Sequence, residues 1–370
     1  MTISVTRTEV PDGTVQYVNI GSIELEAGGF LPDVTLAYET WGTLNQDGSN
    51  AILVQHALTG STHVTRGSGN EEGWWEQLAG PGAPADTDRF FVVSINIVGG
   101  CYGSTGPSSA APDGKPWGSR FPLVTLRDST AAEARLADQL GISSWFAVLG
   151  GSMGGARALE WAVTYPERVR RCGVISVGAS STAEQIAFAQ AQTLAIRQDP
   201  NFNGGDYYGG PLPEAGLALA RRIAHITYRS AYEFDFRFGR NAQTSEAPLE
   251  AESLGVRGRY QVESYLDHQG SKLVRRFDAN SYIAITETLM SHDICRGRGT
   301  LTETLSRTTA DFFVAAVDTD RLYFPAQSRE LAEALPGDVD VHLIEAPIGH
   351  DGFLTDIGQL NAQLRAYFLA

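Results

Sequence analysis

One six-residue string, Gly150-Gly151-Ser152-Met153-Gly154-Gly155, limits what this chain can fold into more than any other feature. It follows a short continuous apolar run, residues 145–149, and precedes a stretch with helical spacing that ends at Pro166. The run predicts a strand buried on both faces. A strand that turns into a helix this abruptly forces the central residue into a strained backbone, with only glycine tolerated beside it at 150 and 154. The Ser152 hydroxyl is then held out above the strand ends, and the amide of Met153 starts a helix whose positive end faces any negative charge forming there. The plainer alternative, a Gly-rich connection with an ordinary serine, accounts less well for both flanks.

Further apolar runs at 51–54, 90–97 and 173–177 predict more buried parallel strands, and residues 126–140 have helical spacing between two of them. Alternating segments at 15–20 and 34–38 predict an antiparallel start to the sheet. From 184 onward helical periodicity dominates, at 184–197, 214–228 and 259–266, until strand character resumes at 312–317 and 339–344, with helices at 327–335 and 359–369. The expected architecture is an α/β-hydrolase fold, a mostly parallel sheet flanked by helices with a helical lid insertion. Residues 1–180 and 300–370 would form the core domain, and residues 181–299 the lid above the strand ends, where α/β sheets bind ligands.

In this arrangement the chain order is nucleophile, acid, histidine. His342 and His350 both follow the last strand able to carry the acid. His342 lies within an alternating strand run, whereas His350 stands in Gly349-His350-Asp351-Gly352, a loop suited to a catalytic base. Asp318 and Asp320 both qualify as the acid. The D-x-x-x-x-P spacing from Asp320 to Pro325 favours Asp320, which leaves Asp318 as an end-of-strand cap. The expected triad is Ser152, Asp320 and His350, with oxyanion donors at Met153 and at Leu58 in the loop Gln55-His56-Ala57-Leu58-Thr59-Gly60. His56 reads as a structural loop residue.

Composition narrows the partners. The net charge of −15 is spread without long runs, which argues against nucleic acid and anionic membrane. Met1 to Gly13 lack a basic stretch followed by an apolar core, and no window nears the roughly 18 apolar residues of a membrane span, so a cytoplasmic protein is expected. Cys101, Cys172 and Cys295 form no CxxC pair, which predicts neither a disulfide framework nor a zinc site, and no metal is expected. Residues 67–73 are glycine-rich, but their spacing is wrong for a dinucleotide loop.

Longer strings carry a more specific likeness. His56-Ala57-Leu58-Thr59-Gly60, the segment from Gly99 to Ser109, Gly118-Ser119-Arg120-Phe121-Pro122, the elbow, Tyr265-Leu266-Asp267-His268-Gln269-Gly270, Arg276 to Tyr282 and Gly349-His350-Asp351-Gly352-Phe353 resemble the homoserine O-acetyltransferase family. Cys295, where glycine is expected, is a departure. The resemblance implies a ping-pong transfer of acetyl from acetyl-CoA, a co-substrate rather than a cofactor, to L-homoserine. It assigns substrate binding to Arg221, Asp351, Tyr228 and Thr59. Homoserine offers a carboxylate to a guanidinium and an ammonium to a carboxylate, and Arg221 and Tyr228 share a helix face. The resemblance also implies a homodimer through the lid helices, expected to use Ile283, Ile285 and Leu289. Succinyl-CoA or L-serine as alternative substrates, a plain serine esterase, and a non-catalytic binding module are the rival readings.

Overall fold

The computed structural model describes residues 10–250, 253 and 257–369. The first nine residues, part of the segment read above for a leader, lie outside the described residues.

The buried runs form one eight-stranded sheet: β1 (Gln16–Asn19), β2 (Thr35–Trp41), β3 (Ala51–Gln55), β4 (Phe91–Ile95), β5 (Ala147–Gly151), β6 (Arg171–Ile175), β7 (Asp311–Val317) and β8 (Val341–Ile344). The spatial order is β1-β2-β4-β3-β5-β6-β7-β8. β2 is antiparallel to β1 and β4, and every later pair is parallel. β3 connects onward to β4 on one side and β5 to β6 on the other, so the order reverses between β3 and β5. A crevice opens at such a point, beyond the carboxyl ends of the strands.

Both faces of the sheet are covered, which is why its central strands are apolar throughout rather than alternating. Helices α1 (Leu126–Leu140) and α2 (Met153–Thr164) bury Leu136, Leu159 and Trp161 on one face. The last helix, Ile357–Leu369, buries Leu360, Leu364 and Phe368 on the other. α1 starts in a capping box, Thr125 Oγ1 accepting from the Asp128 amide while Asp128 accepts from the Thr125 amide, and stops at Gly141 in the left-handed region. Beneath the elbow, the buried carboxylate of Glu133 accepts from Arg157, Gln55 and Trp161, which ties α1, α2 and the end of β3 together.

Between β6 and β7 the described residues hold helices and no ladder strand: α3 (Ala183–Arg197), α4 (Glu214–Tyr228), α5 (Ala231–Arg237), α6 (Gln261–Val274), α7 (Ala279–Met290) and α8 (Leu301–Leu305). α5 escaped the sequence reading because its seven residues are too short for periodicity to register. One expectation fails here. Ile283 and Ile285 of α7 are buried in the chain's own core, so neither offers a face to a second copy, and Leu289, partly buried, packs against that core. The expected strand at 145–149 also shifts to Ala147–Gly151, because the Trp145 amide pairs outside the ladder with Arg168 and both glycines stay in register with β6.

Candidate active site

Ser152 sits at φ 56°, ψ −128°, between the last residue of β5 and the first of α2. The glycines beside it are demanded by β3: a Cβ on Gly154 would lie 2.1 Å from the Gln55 carbonyl oxygen, and one on Gly150 would lie 2.7 Å from the same atom. The serine amide donates to Ile175 O at 2.9 Å, which holds the turn in its strained form. Met153 opens α2, so its amide has no acceptor within the helix.

Asp320 and His350 meet although thirty residues separate them. Asp320 lies in the turn after β7, where its Oδ1 accepts from the Leu322 and Tyr323 amides at 2.8 and 2.9 Å. Its Oδ2 stands 2.6 Å from His350 Nδ1, and both side chains are buried. With Nδ1 donating to the carboxylate, the neutral ring carries its lone pair at Nε2, a buried atom without a hydrogen-bond partner. Burial alone would lower the histidine pKa, but the charge and hydrogen bond of Asp320, with the charge of Asp351, outweigh it and hold it above the ordinary 6.5. Gly349, at φ 95°, lets the loop pass the start of α5, where a Cβ would come 2.5 Å from Ser230 N. Asp318 turns elsewhere and accepts from the Ala346 amide at 3.0 Å. His342 stacks on Phe313 at the edge of the sheet.

The loop after β3 completes one wall. His56 accepts from the Ile97 amide through Nε2, and Nδ1 lies 2.8 Å from Ala57 O. Burial, aided by the charge of Arg157, pushes its pKa down to about 3, so it stays neutral and structural. Gly60 N bonds Ala57 O, which puts Leu58 in a tight turn. Leu58, Ser152, His350, Arg221, Tyr228 and Asp351 all line one cavity of about 210 Å³.

Arg221 lies over the Tyr228 ring, 5.6 Å from its centre, and reaches Thr59 Oγ1 at 3.4 Å. Asp351 lines the same cavity, yet Arg229 Nη2 already stands 3.2 Å from its carboxylate. Sequence reasoning missed Arg229 altogether. It quoted Arg276 only as part of a string, although Arg276 bonds Thr59 O at 3.0 Å and the Tyr102 hydroxyl at 2.6 Å and lines the cavity. It also missed a buffer behind the loop. Glu39, buried in β2, accepts from the Thr62 hydroxyl and lies 2.7 Å from His63 Nδ1, while His63 Nε2 lies 3.2 Å from Glu71 O. Burial acts to lower the His63 pKa, but these two acceptors raise it overall. Glu39 could have been found as the one charged residue inside a strand of apolar residues and threonines.

Among the described residues no group of three or more His, Cys, Asp or Glu could hold a metal ion, and no helix is long and apolar enough to cross a membrane.

A family described as alpha/beta hydrolase fold matches residues 50–356. A homoserine O-acetyltransferase of Thermobifida fusca (strain YX) is 56% identical over 361 residues, covering 96% of this chain and 94% of that protein. A homoserine O-acetyltransferase of Mycobacterium sp. (strain KMS) is 48% identical over 96% of this chain and 94% of its own length. Among solved structures, the homoserine O-acetyltransferase from Bacillus anthracis superposes with a TM-score of 0.89 at 27% identity, covering 96% of this chain and 98% of that one. An acetylester hydrolase from Corynebacterium glutamicum superposes at 0.81 with 30% identity, covering 97% of each chain. Backbone shape is therefore shared between transferases and esterases, and the high sequence identity is what separates them. On that identity, carried over nearly its whole length, the chain belongs to the homoserine O-acetyltransferase family within the α/β-hydrolase fold.

Proposed function

We propose that the protein transfers acetyl from acetyl-CoA to the side-chain hydroxyl of L-homoserine through an acetyl-Ser152 intermediate. The observation that carries this reading is a single cavity in which Ser152 and His350 share walls with Arg221, Arg276 and Asp351. His350 Nε2 takes the serine proton, and Oγ attacks the thioester carbonyl. The oxyanion forms toward the amides of Leu58 and Met153, and the sulfur leaves with the proton from His350. Homoserine then enters, its hydroxyl loses a proton to His350, its oxygen attacks the acetyl-serine, and the bond to Ser152 Oγ breaks as His350 returns the proton to the serine. Asp320 keeps the imidazole in the tautomer that both steps need.

Arg221, stacked on Tyr228 and touching Thr59, suits the amino-acid carboxylate, and Asp351 suits its ammonium. Fixing the acceptor by both ends favours its hydroxyl over water by orientation. A plain esterase is the second reading, since esterases share the backbone shape, but an esterase has no need of this set of charges. The decisive assay follows CoA release from acetyl-CoA and succinyl-CoA with homoserine, serine or water as acceptor. Release that is as fast with water as with homoserine would overturn the transferase reading.

We also propose a homodimer, on a different surface from the one that the α7 residues suggested. Ile186 and Leu194 of α3 and Leu219 and Ile226 of α4 are exposed on two helices packed side by side. A two-fold axis there would bury all four against their copies. The reactants are soluble metabolites, which fits work in the cytoplasm.

A further inference from the structure

Ser152 lines two cavities, not one. The charged cavity of about 210 Å³ contains His350, while a second of about 60 Å³ does not. Leu58, Ser152 and Tyr228 form the partition common to both. The second cavity is walled by Phe188, Ala189, Leu289, Met290, Leu322 and Tyr323, and its lining includes no Lys, Arg, His, Asp or Glu. Its polar groups are hydroxyls and the amides of Gln185 and Gln192. Gln185 Nε2 already donates to Leu322 O at 2.7 Å, and Gln192 Oε1 accepts from the Tyr282 hydroxyl at 2.5 Å.

The chemistry decides which substrate part goes where. The leaving sulfur must receive a proton from His350 and the incoming hydroxyl must give one to it, so both groups occupy the histidine's side of the acyl carbon. The remaining substituent on that carbon, the acyl chain, is then directed away from His350. We infer that the small uncharged cavity is the acyl chamber, and that Phe188, Leu289 and Met290 set the length of acyl group that Ser152 accepts. The inference rests on the acyl-serine reading above but not on homoserine as acceptor.

Size and charge both point to a short, uncharged acyl group. A water-sized group fills about 10–15 Å³ of such space, so the chamber takes about four to six. An acetyl group has three heavy atoms and fits, while a succinyl group has seven. The succinyl carboxylate would also be buried without a cation, which is strongly unfavourable.

The test uses p-nitrophenyl acetate, butyrate and hexanoate, which report acylation of Ser152 with no acceptor present. Phe188→Ala and Met290→Ala are each expected to raise the butyrate-to-acetate ratio of kcat/KM by about tenfold or more, since a methylene in an apolar pocket is worth that much. Ala189→Phe, which fills the chamber, is expected to lower it. Labelling of Ser152 by a fluorophosphonate verifies that each variant is folded and competent. An unchanged chain-length preference in labelled Phe188→Ala and Met290→Ala would overturn the assignment. So would a shift produced by Thr59→Ala instead, which would put the acyl group in the charged cavity. Wild-type release of CoA from succinyl-CoA as fast as from acetyl-CoA would overturn it as well. Failure of homoserine to accept the acetyl group, with the ester preferences shifting as expected, would sink the proposed acceptor and leave the chamber standing.

Discussion

The two sides of the charged cavity are built differently. Ser152, Asp320 and His350 stand just beyond the carboxyl ends of β5, β7 and β8, and each is fixed by backbone amides or by another of the three. Arg221, Tyr228 and Arg276 come from α4 and from the segment after α6, and they converge on a loop that follows β3. Strand ends in a covered sheet move little. Helices that touch the sheet through side chains can shift without disturbing it. On the proposed mechanism, chemistry and recognition are carried by separable parts, so substitutions should divide cleanly between them.

The largest effect should come from the rigid side. Ser152→Ala is expected to reduce CoA release by about 10⁴-fold or more, with the circular dichroism spectrum unchanged; retention of a hundredth of the activity would remove Ser152 as nucleophile. Next, Asp320→Asn should cost about 10³–10⁴-fold in turnover, since it disturbs the tautomer at His350. Asp318→Asn, a residue that ties β7 to Ala346, should lower thermal stability more than turnover, and a reversed order would exchange their roles.

On the recognition side, Arg221→Ala should raise the homoserine KM by the equivalent of about 1.5–3 kcal/mol while the burst of CoA from acetyl-CoA alone stays near wild type. Loss of the burst would mean that the cavity does not divide as described. A pH profile tests the link between the sides. On the proposed mechanism acylation needs neutral His350, whose pKa is raised above the ordinary 6.5, so the rate should rise with pH through that raised value. Asp351→Asn removes one influence holding it up, and the acid limb should move to lower pH.

The smallest effect is expected behind the loop. The Glu39–His63 pair raises the His63 pKa in the folded state, so its contribution to stability is full below about pH 6.5 and is lost as pH rises through the folded value. Glu39→Gln should therefore lower the melting temperature more in mildly acidic than in alkaline buffer.

Much of the rigid side was legible beforehand because it depends on local rules. A buried strand running into Gly-x-Ser-x-Gly leaves one backbone solution, and loops after strands are where an acid and a histidine can meet. The choice between Asp318 and Asp320 could be ranked from spacing, but the direction each carboxylate takes depends on the amides it meets once the chain is folded, that of Ala346 for Asp318 and those of Leu322 and Tyr323 for Asp320. The recognition side was legible only through resemblance, and even then Arg229 and Arg276 were missed. Both stand just past the ends of helices, α4 and α6, where no periodicity marks the direction a side chain takes.

The sequence by itself determined the succession of the buried strands along the chain, the elbow, and the three side chains proposed for the acyl chemistry, since these follow from burial patterns and backbone sterics. Only the tertiary structure decided that Ile283 and Ile285 of α7 are buried in the chain's own core, that Asp351 shares its charge with Arg229, and that Ser152 lies between a charged cavity and an uncharged one. The physical reason is that periodicity records how much of a helix face is apolar, whereas which neighbour covers that face depends on long-range packing between elements that the chain brings together only when folded.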